Sequence, residues 1–335
     1  MEHDYNLLIE NLKGRRYDEA LREPILSDGF SNPNIPDSVK YALESMVEID
    51  VSYAYKVYNN SRRIHELLNK ELTKRDIEVE YRYQGALKTF TNILLYGDVE
   101  IIVLKKNPSE KPHKDISELG AVLMDILSSG DYNFKSVDFS DKTRIRVIAQ
   151  KPTCEIDILP SIWIETPDYN KTKNEVYRGI VEFDFEHRKV KKYLPFLNIA
   201  RFNSKDNHTG GVLKCLSRLL MTLKKDAEDT IALRDTEIKS MLYAIPEADL
   251  KVSQNQILAL LPLMENHLNN LVVDDEFFKT IVSPSRMEKV FASQPQKKEE
   301  IKKLHDALKK LISDIKEELG SSDKTLQDEI EYFNL

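Results

Sequence analysis

Two short apolar segments that carry acidic residues at every second position constrain this chain more than any other feature. In GDVEIIVL, Asp98 and Glu100 are two residues apart. In CEIDILPS, Glu155 and Asp157 have the same spacing. Side chains two apart in a strand leave the same face. Each segment therefore predicts a β-strand with two carboxylates on one face and an apolar opposite face.

Taken together, the two segments indicate a site for divalent cations. Neighbouring carboxylates repel one another unless a cation lies between them. If the strands are adjacent in one sheet, at least three carboxylates meet, which is an arrangement that binds two metal ions. Mg²⁺ prefers such oxygen ligands together with substrate phosphates. An acidic pair is also common on a solvated strand end, and that interpretation stays open for either segment alone.

The order of predicted elements indicates a mixed α/β domain followed by a helical one. Turn-forming residues end near Pro36, and apolar residues at helical spacing then predict one long helix from Asp37 to about Leu72. Strand-like segments with one intervening helix cover about 77–165. A polar, Asn- and Lys-rich connection and a further strand-like segment follow, and the rest of the chain is helical in pattern.

We therefore predict an α/β + α fold with a mixed sheet, a long N-terminal bracing helix and a C-terminal helical lobe. The first lobe is predicted over 1–200, including the long helix, and the helical lobe over 201–335. Within the helical lobe, the segment 253–271 reads as one helix. The segment near 297–319 is amphipathic and heavily charged, with apolar residues at helical spacing, which predicts a solvated surface helix and not a coiled coil.

Composition excludes several classes of protein. The chain has 335 residues, and its 2 cysteines and 7 histidines lack metal-binding or disulfide spacing, so we expect no disulfide scaffold and no cysteine-based zinc site. No apolar run reaches the roughly 18 to 20 residues of a membrane span, and the N-terminus is acidic where a signal peptide is basic. We expect a cytoplasmic protein without a membrane partner. The net charge of -7 argues against binding to long nucleic acid and favours small anionic ligands held by metal ions.

A glycine turn precedes the first acidic strand. Gly85 follows a strand-like segment and opens a short turn before Thr89, Thr91 and Asn92. Because only twelve residues separate Gly85 from Asp98, we expect the turn and the strand to lie close in space.

These segments resemble the nucleotidyltransferase core of the polymerase beta superfamily, whose pattern is a Gly-Ser turn, an acid-x-acid strand and a third acid. YQGALKTFTNI, TGGVLKCLSRLLMTLKK and EIKSMLYAIP are more closely similar to the bacterial cGAS/DncV-like nucleotidyltransferases (CD-NTases). The likeness spans residues 75–292. It implies a nucleotidyltransferase palm and an enzyme that condenses NTPs into a cyclic or short linear oligonucleotide messenger in anti-phage signalling.

The resemblance also implies roles for individual residues. Asp98, Glu100 and Asp157 would be the catalytic ligands of two Mg²⁺ ions, for which Mn²⁺ can substitute, and Asp157 would help to activate the attacking hydroxyl. The implied nucleotide-binding residues are Gly85, Ala86, Lys88, Asn92, Arg218, Lys224 and Ser240. Lys224 and Ser240 can equally be ordinary helix residues.

The chain departs from the family pattern at Ala86, where the turn normally has serine. The missing hydroxyl removes one hydrogen bond to phosphate, which is about 1 to 3 kcal/mol when the acceptor is charged. Backbone N–H groups of the turn can still bind phosphate. We therefore expect a weaker or differently tuned donor site and not an inactive enzyme.

The implied partners are NTP substrates and a downstream effector that is reached through the product. Two further functions stay open. One is a nucleotidyltransferase that extends a linear oligonucleotide or modifies an RNA or protein acceptor, and the other is a catalytically impaired nucleotide-binding homologue. The sequence does not determine the oligomeric state.

Overall fold

The computed structural model of the chain describes residues 4–129, 134–141, 143–252 and 254–320. The chain divides into two compact units, one made of 49–200 and the other of 1–48 together with 201–335. We call them the palm unit and the helical unit.

The elements follow one another in chain order. Up to residue 73 they are α1 Tyr5–Arg15, β1 Tyr17–Asp18, β2 Glu23–Pro24, a 3-10 turn Asp28–Ser31, α2 Asp37–Met46 and α3 Val51–Thr73. The remaining palm elements are β3 Val79–Gln84, α4 Ala86–Thr89, β4 Val99–Lys105, α5 Pro112–Ser129, β5 Ser136–Asp141, β6 Arg144–Ala149, β7 Cys154–Ser161, β8 Trp163–Ile164, α6 Pro167–Thr172, a 3-10 turn Glu175–Tyr177, β9 Gly179–Asp184 and β10 Lys189–Tyr193. After them come α7 Pro195–His208, α8 Val212–Asp226, α9 Asp235–Ala244, 3-10 turns Glu247–Leu250 and Gln254–Leu260, α10 Leu261–Val273, α11 Asp275–Thr280 and α12 Lys297–Glu318.

The palm unit is built on a mixed five-stranded sheet in the order β3-β4-β7-β6-β5. β4 and β7 are parallel, whereas the other neighbours in this sheet are antiparallel. A smaller antiparallel sheet has the order β10-β9-β8. The mixed sheet and the helices of the second unit confirm the predicted fold class.

Alternation of side chains along the central strands gives the five-stranded sheet two different faces. One face packs with α3 and α5 in a core cluster that includes Ile64, Leu68, Leu119, Leu123, Ile101, Val103, Ile156 and Ile158. The opposite face is apolar only over part of its length, where Ile102, Leu104, Leu159 and Ile180 form a second cluster. Because residues of both faces alternate in one strand, the acidic residues of β4 and β7 fall on the second face.

The prediction of one continuous helix from Asp37 to about Leu72 is wrong, because the structure has two helices there. α2 ends at Met46, and α3 begins after Asp50, whose side chain accepts a hydrogen bond from the N–H of Ser52. An aspartate in this N-cap position favours the start of a new helix over continuation of the old one. The break also separates the two helices between the units, since α2 belongs to the helical unit and α3 to the palm unit.

The predicted lobe boundary is consequently wrong at the N-terminal end. Residues 1–48 group with 201–335 and not with the palm, because α2 packs on α8 and on α12. Arg15 donates to both oxygens of Asp226, at 2.6 and 2.7 Å, and the Tyr41 hydroxyl donates to Asp226 at 2.8 Å. The end of the predicted helical lobe, 321–335, lies outside the described residues.

Two smaller predictions also differ from the structure. The segment predicted as one helix over 253–271 divides into a 3-10 turn and α10, which has a proline in its first turn. The polar connection after β8 contains the short helix α6, whose Thr166 side chain accepts from the N–H of Tyr169. α12, in contrast, is the amphipathic helix that was predicted, and its apolar face is buried, with Ile301, Leu304, Leu308, Leu311 and Ile315 fully inaccessible.

No helix in the part of the chain that the structure describes is both long and apolar enough to cross a membrane.

Candidate functional site

Pairing of β4 with β7 places Glu100 beside Asp157. In the parallel ladder Glu100 is the register partner of Asp157, and Val99 is the partner of Ile156. Register partners project from the same face of a sheet, so the two carboxylates are neighbours on the face opposite to the α3 and α5 core. The prediction that the two acidic strands lie side by side is confirmed.

Asp98 lies immediately before β4 and is exposed, while Glu100 is half-buried and Asp157 is only 7% exposed. The charge of Asp98 contributes to the raised pKa of Arg146. Asp98 therefore belongs to the same electrostatic environment as Asp157, which accepts a hydrogen bond from Arg146.

Two arginines on β6 complete this environment, and the sequence analysis did not identify them. Arg144 Nη1 donates to Glu100 Oε2 at 2.8 Å and lies 3.7 Å from Asp157 Oδ2. Arg146 is the register partner of Asp157, and its Nε lies 3.1 Å from Asp157 Oδ1 and 2.6 Å from Glu155 Oε1. The available signal was the alternation in TRIRVIAQ, which places both guanidinium groups on one face of a strand next to the acids.

The directions of two pKa shifts reflect the interactions among these charges. Burial alone lowers the pKa of Arg144, but the charge of Glu100, with smaller contributions from Glu182 and Asp157, raises it above its ordinary value. Burial and the charge of Asp157 raise the pKa of Glu155, although Arg146 acts in the opposite direction.

When all groups are ionised, negative charge is in excess in this cluster. The two guanidinium groups face five carboxylates, namely Asp98, Glu100, Glu155, Asp157 and Glu182. These five carboxylates and two guanidinium groups, which we call the palm cluster, have a formal charge of about −3, and this excess favours the binding of additional cations.

The glycine turn lies directly against Glu100, as the short separation in sequence predicted. Gly85 has φ +95° and ψ −164°, a backbone conformation that is nearly restricted to glycine. A Cβ atom at this position would lie 2.7 Å from Glu100 Oε1. On the other side, Gln84 Nε2 donates to Glu100 Oε2 at 2.9 Å and to the Tyr193 hydroxyl at 3.2 Å. The turn and the end of β3 therefore fix the position of the Glu100 carboxylate.

The other residues predicted in the turn have structural contacts of their own. Ala86 begins α4, and its carbonyl accepts from the N–H of Thr91 at 3.0 Å. Lys88 is exposed, and its ammonium lies 5.6 Å and 5.8 Å from the ring centroids of Tyr58 and Tyr83. Asn92 Nδ2 donates to the Leu94 carbonyl at 3.2 Å, so this side chain stabilises the loop before β4.

The three predicted phosphate-binding residues of the helical unit differ in accessibility. Arg218 is 3% exposed, and its Nε donates to the Met46 carbonyl at 2.7 Å. Ser240 is 2% exposed, and its hydroxyl donates to the Thr236 carbonyl one turn earlier. These environments favour structural roles over the predicted phosphate contacts. Lys224 is more accessible, although its Nζ lies 2.7 Å from Asp235 Oδ1.

The donor chemistry of the palm cluster fits a hard divalent cation, because carboxylate oxygens are the ligands that Mg²⁺ prefers. In the described residues, however, no three or more His, Cys, Asp or Glu side chains are gathered closely enough to hold a metal ion. Of the three predicted ligands, Glu100 and Asp157 are register partners, and their convergence with Asp98 on shared ions stays a prediction. Glu100 and Asp157 accept hydrogen bonds from Arg144 and Arg146 respectively.

A glycine turn against a carboxylate pair that two parallel strands share, on a mixed sheet backed by helices, agrees with the resemblance to the nucleotidyltransferase core of the polymerase beta superfamily. No protein-family model matches the chain, but individual proteins are similar to it over most of its length. The chain is 27% identical to the cyclic dinucleotide synthase CdnE of Yersinia aleksiciae, across 92% of this chain and 87% of that protein. It is 25% identical to a c-di-GMP synthase of a Lachnospiraceae bacterium, across 93% and 99% of the two chains.

A solved structure is similar over the same length. The STING-associated CdnE c-di-GMP synthase from Capnocytophaga granulosa matches with a TM-score of 0.75 and 26% identity, covering 94% of this chain and 100% of that one. These similarities confirm the resemblance of the chain to the cGAS/DncV-like nucleotidyltransferases (CD-NTases).

Proposed function

We propose that this protein is a metal-dependent nucleotidyltransferase that condenses NTPs into a cyclic oligonucleotide second messenger. The observation that carries the proposal is the Glu100 and Asp157 pair beside the Gly85 turn. Support comes from relatives named cyclic dinucleotide synthase or c-di-GMP synthase, whose likeness extends over more than nine-tenths of this chain. A short linear product is the variant of this function that the same site also supports.

The excess of negative charge in the palm cluster supports a requirement for Mg²⁺, with Mn²⁺ as a substitute. Asp98, Glu100 and Asp157 would hold the ions, and two ions are proposed from the family resemblance. When bound, the metal ions supply charge neutralisation for the triphosphate and for the leaving pyrophosphate.

The reaction joins a ribose hydroxyl oxygen to the α-phosphorus of a donor NTP and breaks the bond between that phosphorus and the β-phosphate oxygen. Asp157 would accept the hydroxyl proton, because it is the acid of the pair that lies in the interior of the sheet, on β7. Backbone N–H groups at the Gly85–Ala86 turn would bind the donor phosphates. These residues of the palm unit would thereby align the reacting groups and stabilise the negative charge on the phosphates. Positioning and charge stabilisation account for most of the catalysis of phosphoryl transfer.

We further propose that the product acts on a downstream effector in anti-phage signalling. The support is the similar solved structure, which is described as a STING-associated synthase. A reaction that consumes NTPs belongs in the cytoplasm, where its substrates are made.

The experiment that tests the function is mass spectrometry of the products formed from the four NTPs with Mg²⁺ and without an added acceptor. We expect a new cyclic oligonucleotide from the wild-type protein and none from Asp157→Asn. The matched control is Arg62→Gln on α3, whose side chain is 70% exposed and lies 3.4 Å from Glu66. It should give the wild-type yield.

The other outcomes separate the alternatives. A ladder of linear products identifies an oligonucleotide-extending enzyme. Product that forms only when RNA or protein is added identifies an acceptor-modifying enzyme. Wild-type yield from a folded Asp157→Asn protein contradicts the assigned site.

A further inference from the structure

Arg144 holds an unusual position at the palm cluster, because one guanidinium group reaches three carboxylates. Its Nη1 lies 2.8 Å from Glu100 Oε2 and 3.7 Å from Asp157 Oδ2. Its Nη2 lies 3.8 Å from Glu182 Oε1. Arg144 therefore bridges the two strand residues that would share a divalent cation.

The hydrogen bonding of Arg144 does not resemble that of a fixed structural arginine. Its Nε is buried and has no hydrogen-bond partner in the described part of the chain. Buried polar groups are normally satisfied, so an orphan Nε is costly and requires an explanation. The guanidinium group is held mainly by its ion pairs, of which the contact with Glu100 is the shortest.

The positive charge of Arg144 acts strongly on its neighbours, because the side chain is partly buried. Its side chain is 22% exposed, and that of Asp157 is 9% exposed. Partly buried pairs are screened less than surface pairs, so a positive charge at Arg144 both stabilises the adjacent carboxylates and repels another cation.

We propose that Arg144 takes the place of a cation between Glu100 and Asp157 in the metal-free enzyme and gives way when divalent ions bind. The charge of Arg144 then sets how tightly the site holds metal, and it prevents the two acids from repelling each other before metal arrives. This inference rests on the proposed function, since it requires that the two acids are metal ligands.

A permanent structural role for Arg144 leads to a different expectation. If the guanidinium group only supports the fold and stays in place, its removal leaves metal affinity unchanged or weakens it, because the carboxylates lose their orientation. A competing cation has the opposite effect, since its removal leaves both carboxylates open to the metal.

The test is calorimetric titration of Mn²⁺ alone into the nucleotide-free protein. We expect Arg144→Gln to bind Mn²⁺ about tenfold more tightly than the wild type, which corresponds to about 1.4 kcal/mol. The control Arg62→Gln should bind as the wild type does. Equal or weaker binding by folded Arg144→Gln overturns the inference.

The same titration separates this inference from the proposed function. Loss of Mn²⁺ binding in Asp157→Asn, together with unchanged binding in Arg144→Gln, refutes only the role of Arg144. Absence of Mn²⁺ binding by the wild type, or its full retention in Asp157→Asn, refutes the metal site itself.

A second measurement keeps the inference testable if Arg144→Gln does not fold. In protein labelled with ¹⁵N-arginine, the Nε–H resonance of Arg144 is assigned by its disappearance in Arg144→Lys, which keeps the positive charge. We expect saturating Mg²⁺ to shift this resonance in the wild type. A resonance that does not respond to Mg²⁺ contradicts the displacement of Arg144.

Discussion

Replacing Gly85 by alanine tests whether the turn positions the Glu100 carboxylate. Gly85 has φ +95° and ψ −164°, and a Cβ atom there would lie 2.7 Å from Glu100 Oε1 and 3.1 Å from its Cδ. The alanine methyl cannot share this space with the carboxylate. Because the contacted atoms belong to the end of a flexible side chain, we expect Glu100 to move and the fold to persist.

Two magnitudes follow from this geometry. A non-glycine residue in this backbone region costs about 1 to 3 kcal/mol of stability. Displacement of a catalytic group by about 1 Å costs about a hundredfold in rate. Gly85→Ala should therefore remain folded with a lower melting temperature and lose at least about a hundredfold in product formation.

The matched control is Gly210→Ala. Gly210 also has positive φ, +67°, but a Cβ atom there meets nothing within 4 Å. This variant should show a similar loss of thermal stability in differential scanning fluorimetry and near wild-type product formation by mass spectrometry. If both variants keep wild-type activity, or lose it equally in proportion to their stability, Gly85 does not act through Glu100.

Three further predictions concern separate parts of the molecule. Ala86→Ser restores the hydroxyl of the family turn and should lower the KM for the donor NTP about tenfold in steady-state assays. An unchanged KM would show that the hydroxyl makes no contact with phosphate here. Asp226→Asn breaks a buried ion pair with Arg15 and should lower the free energy of unfolding, measured in urea, by about 3 to 5 kcal/mol. The control Glu10→Gln breaks an exposed ion pair with Lys13 and should lower it by less than about 1 kcal/mol. Equal losses in the two variants would contradict the reasoning. Burial, and then the charge of Asp157, raise the pKa of Glu155, so ionisation of this carboxyl opposes folding. The melting temperature of Glu155→Gln minus that of the wild type should therefore rise from about pH 4 to pH 7. A difference that falls over this range would contradict the sign of the pKa shift.

The parts of the fold that the sequence predicted are those in which local pattern and tertiary environment agree. β7 is apolar except for its alternating acids, and its observed bounds, Cys154–Ser161, are those of the segment CEIDILPS. The pairing of β4 with β7 was a hypothesis that the parallel ladder confirms. Both predictions depended on period-two alternation, which is a strong local signal when one strand face is buried.

The parts that could not be predicted depend on contacts between distant residues. The apolar spacing from Asp37 to Leu72 continues through the break at Asp50, because each helix buries its own stripe in a different unit. The apolar stripe of α12 is visible in its helical spacing, but the sequence does not show which elements cover it, and the structure places α2 and α8 against this helix.

The same limit applies to the candidate site. Arg144 and Arg146 looked like ordinary polar residues of an amphipathic strand, and only the sheet order β4-β7-β6 brings them to the acids. The predicted roles of Arg218 and Ser240 rest on the family resemblance alone, and their burial follows from packing inside the helical unit.

The most direct measurement of the central idea is the position of a bound ion. Crystals of the protein grown with Mn²⁺ and a non-hydrolysable NTP should show an anomalous scattering peak within about 2.0 to 2.3 Å of carboxylate oxygens from both Glu100 and Asp157. Nucleotide bound with no manganese at these two residues, or manganese held elsewhere in the palm unit, would contradict the account.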